Sequence, residues 1–510
     1  PISYYQQIIP ALLRREKSDL NEREQRDLNQ FTRAAQSHPD FAAAMPSLFD
    51  QSQTSAESKH DISNLESLLK ENGFDRAQHE QIRAELKDGR IGLAHNRLPS
   101  NTTITDVEPG DLFRAESSEK AADYRAIGEA ALANGELAVV TYAAGVGSRW
   151  TQGAGVVKGL HPFAKLGGAH RSFIDVHLAK SRQAGRVHGA TVPHVFTTSY
   201  LTHAPTENYL RGLAGDSWER DVWLSPGRSI GLRLVPTVSD LHFAWQETAQ
   251  QRLDEQQEKM RESSRAALTD WAHSTGEASD YTDNLPSQCL HPVGHWFEIP
   301  NLLKNGTLAR LLKSHPNLRT LMVHNIDTLG ATADPTLLGW FRESGATLGW
   351  EMIAKKIEDQ GGGLARVNGR VQLVEGLALP NEEDEFQLSF YNANTCWIDI
   401  DHLLKVFNLS RTDLDNESKT AEAVREVANR LPTYVTIKEV KKRWGQGQED
   451  IFPITQFEKL WGDMTSLTDV TSTFALVDRQ RGQQLKDQAQ LDGWQRDGSA
   501  THVASLCDWK

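Results

Sequence analysis

The segment GVGSRWTQGAGVVK, residues 145–158, combines glycines with two cations, Arg149 and Lys158. Glycines let backbone N–H groups come close to a phosphate, and the cations would offset its charge. The loop is not a Walker loop, which needs G-x-x-x-x-G-K-S/T. It is not a dinucleotide fingerprint either, because Trp150 stands where the third glycine belongs. A second segment, HNIDTLGATAD (324–334), follows the apolar RTLMV. An aspartate at the carboxyl end of a parallel strand suits a hard cation such as Mg²⁺, with phosphate oxygens completing the shell. Asp327 is that residue, and the alternative reading is a helix N-cap. In HPVGHWFEIP (291–300), Gly294 and His295 fall in a loop. Pro292 and Gly294 argue against His291 and His295 forming a helical metal pair. VNGRVQLVEGLALP (367–380) reads as a hairpin around Asn368-Gly369. Its Glu375, with Asn392 and Asn394 of FYNANTCWIDID, supplies donors and acceptors suited to sugar hydroxyls, although Asn is also a common turn residue. Lys438 follows a short β-branched run in TYVTIKEVKK, where a lysine is usually a solvated side chain. Asp399 and Asp401 have the D-x-D spacing of a glycosyltransferase metal motif, but they open an apparent helix.

These segments need elements to position them. ELAVVTYAAG (136–145), TVPHVFTTS (191–199), SIGLRLVPTV (229–238), LRTLMVHNID (318–327) and ATLGWEMIA (346–354) are short apolar runs of the kind found in buried parallel strands. Helix-like stretches lie between them. Strands alternating with helices predict an open, mostly parallel sheet covered on both faces, an α/β fold. Ligands in such sheets bind at the carboxyl ends of the strands, where Gly145 and Asp327 fall. Residues 1–120 are expected to be a helical N-terminal region with a turn-rich connector at 96–118. Residues 121–430 are the expected catalytic body, and 431–510 a smaller α/β lobe. Residues 243–272 read as one polar helix with a solvated face, and another helix is expected from Pro453.

Composition limits the partners. The chain has 510 residues, 55 Lys+Arg against 68 Asp+Glu, and a net charge of −13. That balance argues against nucleic acid and anionic membranes as partners, though not against a small phosphorylated ligand. No apolar run is long enough to span a bilayer. The opening PISYYQQIIPALLRRE breaks at Pro10 and does not read as a secretory leader. Three scattered cysteines fit reduced thiols, so a cytoplasmic setting is expected.

Taken in order, the segments resemble the UDP-glucose pyrophosphorylase (UTP–glucose-1-phosphate uridylyltransferase) family and the related UDP-N-acetylhexosamine pyrophosphorylases. GVGSRWTQGAGVVK resembles the family's G-x-G-T-x-M/L-G-x-x-x-P-K. FTTSYLTHAPT (196–206) is similar to its M-N/T-S-x-x-T-x-x-x-T, and VGH (293–295) to its P-G-H-G-D. NIDTLGATAD resembles N-I-D-N-L-G-A-T-x-D. LVEGLALP, YNANTCW and RQRGQQLKD (479–487) resemble three later motifs, and Lys438 falls where the family has an essential lysine. The departures are Val157 for proline, Trp296-Phe297 for Gly-Asp, Thr328 for asparagine, and no clear counterpart of the uracil-reading glutamine. The resemblance implies a Rossmann-like, mostly parallel sheet of the nucleotide-diphospho-sugar transferase (GT-A-like) type. It implies that a sugar 1-phosphate, most readily glucose 1-phosphate, attacks the α-phosphorus of UTP and releases pyrophosphate, with Mg²⁺ as cofactor. Arg149, Lys158 and Lys438 would be the catalytic cations. Ala144, Gly145, Val146, Gly147, Ser148, Gly294 and His295 would bind the nucleotide. His295, Asn325, Glu375, Asn392 and Asn394 would bind the sugar phosphate, and Asp327 the metal. Two other readings stay open: use of N-acetylhexosamine 1-phosphate, and binding without turnover. The family's C-terminal β-helix is not expected after Lys486, so a monomer is.

Overall fold

The computed structural model describes residues 24–26, 65–147, 150, 157–214, 221–247, 255–357, 359, 361–445 and 448–509. Its centre is an eight-stranded sheet. The strands are β1 (Phe113–Arg114), β2 (Leu137–Tyr142), β3 (His194–Thr198), β4 (Val222–Pro226), β5 (Thr320–Asn325), β6 (Leu348–Ala354), β9 (Phe390–Asp399) and β12 (Ser472–Leu476). Between β6 and β9 lies the hairpin β7 (Gly363–Val367) and β8 (Arg370–Val374). Between β9 and β12 lies the ribbon β10 (Tyr434–Gly445) and β11 (Gln448–Glu458). The spatial order is β1-β12-β6-β9-β5-β2-β3-β4. Every neighbouring pair is parallel except those made by β9, which runs antiparallel to both β5 and β6.

Side chains alternate across the sheet as strand geometry requires. Leu137, Val139, Met322 and Trp397 enter one core with Leu338, Trp340 and Phe341. Ala138, Val140, Leu321, Val323, Cys396 and Ile398 enter the opposite core. The first face carries α1 (Ala121–Ala133), α2 (Phe173–His188) and α3 (Pro335–Ser344). α1 and α3 approach backbone to backbone, since a Cβ on Gly128 would lie 1.8 Å from Pro335 O and one on Gly339 1.8 Å from Tyr124 O. α2 begins with a reciprocal cap between Ser172 and Asp175 and ends at Gly189, whose φ is +68°. α3 is capped by Asp334, so the N-cap alternative for Asp327 is not realised. The second face is covered by the helices Glu298–Lys304, Thr307–Ser314, Ile400–Val406 and Glu417–Ala428.

Three expectations differ from the structure. The run 229–238 supplies only the two-residue strand Gly231–Leu232, paired with Leu290–His291 outside the central sheet. Its Ile230 and Leu232 bury themselves beside Val440 and Ile454 of the β10–β11 ribbon instead. The sheet edge is β4, which is half-exposed and so lacks the apolar signature of a buried strand. The helix expected from Pro453 is strand β11, where Pro453 faces Glu439. A two-stranded ribbon has outer edges on which a missing N–H breaks no ladder bond. The helical stretch 243–272 is described as two helices, Val238–Glu247 and Glu255–Thr275, with 248–254 outside the described residues. The Asn368-Gly369 hairpin is present, with φ of +50° and +85° joining β7 to β8. Asp399 caps the helix Ile400–Val406, and Asp401 pairs with Arg411. Neither carboxylate of the D-x-D spacing is left for a metal.

Candidate active site

Strand β2 ends at Tyr142, whose backbone neighbours are Asn325 at the end of β5 and Thr197 on β3. From Tyr142 the chain passes into the glycine loop. Ser199 donates to Ala144 O at 2.8 Å, and Ala143 N donates to Thr197 Oγ1 at 3.1 Å. The loop folds back through Lys158 N, which donates to Val146 O at 2.9 Å. Gly147 has a φ of +74°, and a Cβ there would stand 2.4 Å from Lys158 Cβ. Only glycine fits that crossing. Ser148 and Arg149 lie outside the described residues. Gly145 and Val146 lie on the open run between Ala144 and Gly147.

Lys158 is not the free counter-charge that the sequence suggested. It is 5% exposed, and its Nζ donates to Asp327 Oδ2 at 2.9 Å and to Leu485 O at 2.8 Å. Trp150 and Phe173 flank the ammonium at 5.4 and 5.2 Å from their ring centroids. The glycine loop, the strand-end aspartate and the 479–487 segment are therefore tied at one point. Asp327 Oδ1 is buried and has no partner among the described residues. A carboxylate with one oxygen anchored and the other buried but unpaired fits a hard cation. Among the described residues no three His, Cys, Asp or Glu side chains converge to hold a metal. Asp327 would thus be a single protein ligand, with phosphate oxygens and water supplying the rest. The other predicted residues of this strand end lie close by. Asn325 accepts from Thr328 N, and Thr328 Oγ1 donates to Ala393 O, between Asn392 and Asn394. Asn392 and Asn394 bond each other, Asn394 with a φ of +55°. Asn394 is therefore partly spent on its own turn.

A second group surrounds the turn 458–463. Gly294 has a φ of +97°, and a Cβ there would lie 2.2 Å from Lys459 O. His295 Nε2 accepts from Trp461 N at 3.2 Å. Burial lowers the imidazole pKa to about 4, so it is neutral at pH 7 and keeps Nδ1–H as its donor. Trp296 and Phe297, which replace Gly-Asp of the family motif, point into the core. Glu375 lies against Gly462, and burial followed by the charge of Glu458 raises its pKa. Lys438 is exposed on β10 opposite Ile454, close enough to Glu458 to favour its ionised form. The His295 ring is 6.4 Å from the Tyr142 ring, which joins this group to the first.

Several polar residues here escape sequence reading. Glu298 Oε2 accepts from Thr197 Oγ1, and burial raises its pKa to about 7. Asp463 accepts from Tyr434 OH at 3.0 Å, while its Oδ2 is buried without a partner among the described residues. Lys180 and His177 project from the buried face of α2. The signal that could have found them is two polar residues spaced i, i+3 inside an apolar helical stripe.

Residues 277–439 match the family profile of UTP–glucose-1-phosphate uridylyltransferase. The chain is 30% identical over 136 residues to the Saccharomyces cerevisiae enzyme of that name, covering 26% of this chain and 27% of the enzyme. It is 32% identical over 116 residues to the Hordeum vulgare enzyme, covering 22% and 24%. The matched stretch thus spans about a quarter of these relatives. The fold agrees more widely. A variant of Leishmania major UDP-glucose pyrophosphorylase superposes with a TM-score of 0.53 at 18% identity, covering 81% of this chain and 78% of that one. A protein named a UDP-N-acetylglucosamine pyrophosphorylase, from Entamoeba histolytica, gives 0.53 at 15%, covering 78% and 87%. Residues 277–439 are thus similar to the UTP–glucose-1-phosphate uridylyltransferases, and the wider fold is shared with these pyrophosphorylase structures. The profile takes in His295, Asp327, Glu375, Asn392, Asn394 and Lys438, and stops short of the glycine loop. The sheet type expected from the alternating runs is that of these relatives. No helix among the described residues is long and apolar enough to cross a membrane.

Proposed function

We propose that the chain is a uridylyltransferase that joins UTP and a sugar 1-phosphate into a UDP-sugar and pyrophosphate, with glucose 1-phosphate the first sugar to test. The observation that carries this reading is the Lys158–Asp327 tie, with Asp327 Oδ1 lacking a partner among the described residues, in a chain whose residues 277–439 match this family's profile. In-line transfer at phosphorus asks the protein mainly for positioning and charge neutralisation, and no covalent nucleophile is required. Backbone groups of Ala144–Gly147, with Ser148 and Arg149, hold the triphosphate. His295 offers Nδ1–H at the nucleotide–sugar junction. Glu375, Asn392 and Asn394 bind sugar hydroxyls, and Asn325 borders the phosphate. Lys438, from the lobe beyond residue 430, faces the two phosphates from the other side. Lys158 acts through Asp327: it orients the carboxylate. Asp327 would hold Mg²⁺, which when bound draws charge from the phosphate oxygens. The catalytic body is 121–430, and a cytoplasmic setting suits the free thiols Cys289, Cys396 and Cys507.

The test is pyrophosphate release with Mg²⁺, each nucleoside triphosphate, and a panel of sugar 1-phosphates that includes N-acetylhexosamine 1-phosphates. Release with UTP and glucose 1-phosphate is expected. Silence across the panel while nucleotide still binds overturns turnover and leaves a binding protein.

A further inference from the structure

Helix α2 buries a lysine that has no carboxylate partner among the described residues. Lys180 is 4% exposed, and its Nζ donates to Leu329 O at 2.7 Å and Ala331 O at 2.5 Å. One turn earlier, His177 Nε2 donates to Ile326 O at 2.9 Å. A carbonyl can only accept, so the imidazole proton sits on Nε2. The three carbonyls belong to the loop Ile326–Ala331, which contains Asp327. The far side of that loop is held by the C-terminal segment. Leu485 N donates to Asp327 O at 3.0 Å, and Arg481 donates to Thr332 O at 2.8 Å while pairing with buried Glu351. Lys158 on Asp327 and Thr328 Oγ1 on Ala393 O hold the loop elsewhere, and α2 is what grips the carbonyls of Ile326, Leu329 and Ala331.

Burying an ammonium against neutral carbonyls is costly, and an apolar side chain would fill the same space without that cost. Burial lowers the pKa of Lys180 to about 7, with Arg481 acting in the same direction and Glu351 and Cys507 against it. A group kept at such cost fits a requirement for loop geometry better than one for packing.

We infer that Lys180, assisted by His177, is a positioning residue that clamps the Ile326–Ala331 loop by its carbonyls and so fixes Asp327 to receive the cation. This rests on the reading of Asp327 as the cation ligand. Neither side chain touches the reacting atoms. The clamp sets where the carboxylate stands, so its loss should weaken cation affinity and kcat and leave nucleotide KM nearly unchanged.

The experiment uses Mn²⁺ as the probe. Mn²⁺ binding to the protein–UTP complex is titrated by electron paramagnetic resonance for the native chain, Lys180→Met and Lys180→Gln. The expected result is a Mn²⁺ Kd raised about tenfold in K180M and less in K180Q, which keeps an amide NH₂ as a donor group. Steady-state rates should show kcat lowered with KM for UTP within about twofold. Circular dichroism and thermal midpoints establish folding, and should K180M not fold, K180Q is read by the same criteria. Native Mn²⁺ affinity in a folded variant overturns the inference, whatever its turnover. Native protein that binds Mn²⁺–UTP yet releases no pyrophosphate with any sugar 1-phosphate sinks the proposed function and leaves the clamp standing.

Discussion

Lys158 and Asp327 are tied side chain to side chain, Nζ to Oδ2 at 2.9 Å, across the junction of two parallel strands. The pair orients the carboxylate so that Oδ1 remains the buried oxygen without a partner among the described residues. Replacing Asp327 by Asn keeps the shape and removes the charge. The D327N variant should lose about 3 kcal/mol of transition-state stabilisation, roughly 100-fold in rate. Its residual rate should no longer respond to added Mg²⁺. A normal Mg²⁺ activation curve in D327N would remove Asp327 from the cation site.

Gly147 and Gly145 lie two residues apart but predict opposite outcomes. A Cβ at Gly147 meets Lys158 at 2.4 Å on a left-handed backbone, whereas one at Gly145 meets nothing within 4 Å. Gly147→Ala should cost about 1–3 kcal/mol of stability by strain and displacement. It should also disturb turnover through Lys158. Gly145→Ala should leave the thermal midpoint unchanged, so any fall in its rate reports on the close approach of a ligand. Equal midpoints for the two variants would contradict the described loop.

Glu298 gives a pH signature with a definite sign. Its folded pKa is raised to about 7 from 4.5 by burial. The folded state therefore holds a proton that the unfolded state has lost. The associated stability is full below about pH 4.5 and declines as pH rises through 7. Glu298→Gln removes this dependence. Relative to the native chain, E298Q should gain on the order of 2 kcal/mol between pH 5 and pH 8. Parallel denaturation curves at the two pH values check it, and a constant difference would show that the carboxylate is not desolvated.

Lys438 separates function from folding. It is exposed on the β10–β11 ribbon. Lys438→Ala should change stability by no more than about 0.5 kcal/mol. Neutralising the phosphates is a different matter, and turnover should fall at least tenfold. An unchanged rate would leave Lys438 as a solvated strand lysine.

The sequence made some features legible because they depend on local chemistry. The runs that became β2, β3, β5 and β6 are continuous apolar segments, and burial on both faces leaves that mark. The Asn368-Gly369 turn follows from backbone conformation. What stayed hidden is what distant segments decide. Val222–Pro226 is an edge strand because β3 lies beside it, not because its residues alternate. Lys158 looked like a phosphate cation, since nothing near it in sequence announces Asp327 or Leu485. Lys180 is buried only because the distant 326–331 loop closes over it.

Strand β12, residues Ser472–Leu476, is an inner strand between β6 and β1, and Leu485 follows it to bond both Lys158 and Asp327. This ordering sets a timetable for biosynthesis. Until residues 472–485 are made, β6 presents an unpaired edge and the lysine–aspartate tie lacks its third member. Exposed strand edges invite pairing with other chains, so the nascent protein is open to aggregation until β12 emerges. Competence would arrive with those residues rather than accumulate gradually along the sheet. A chain whose synthesis stalled, or that was clipped, before β12 would lose the partner of β6 and the Leu485 contacts of the site together.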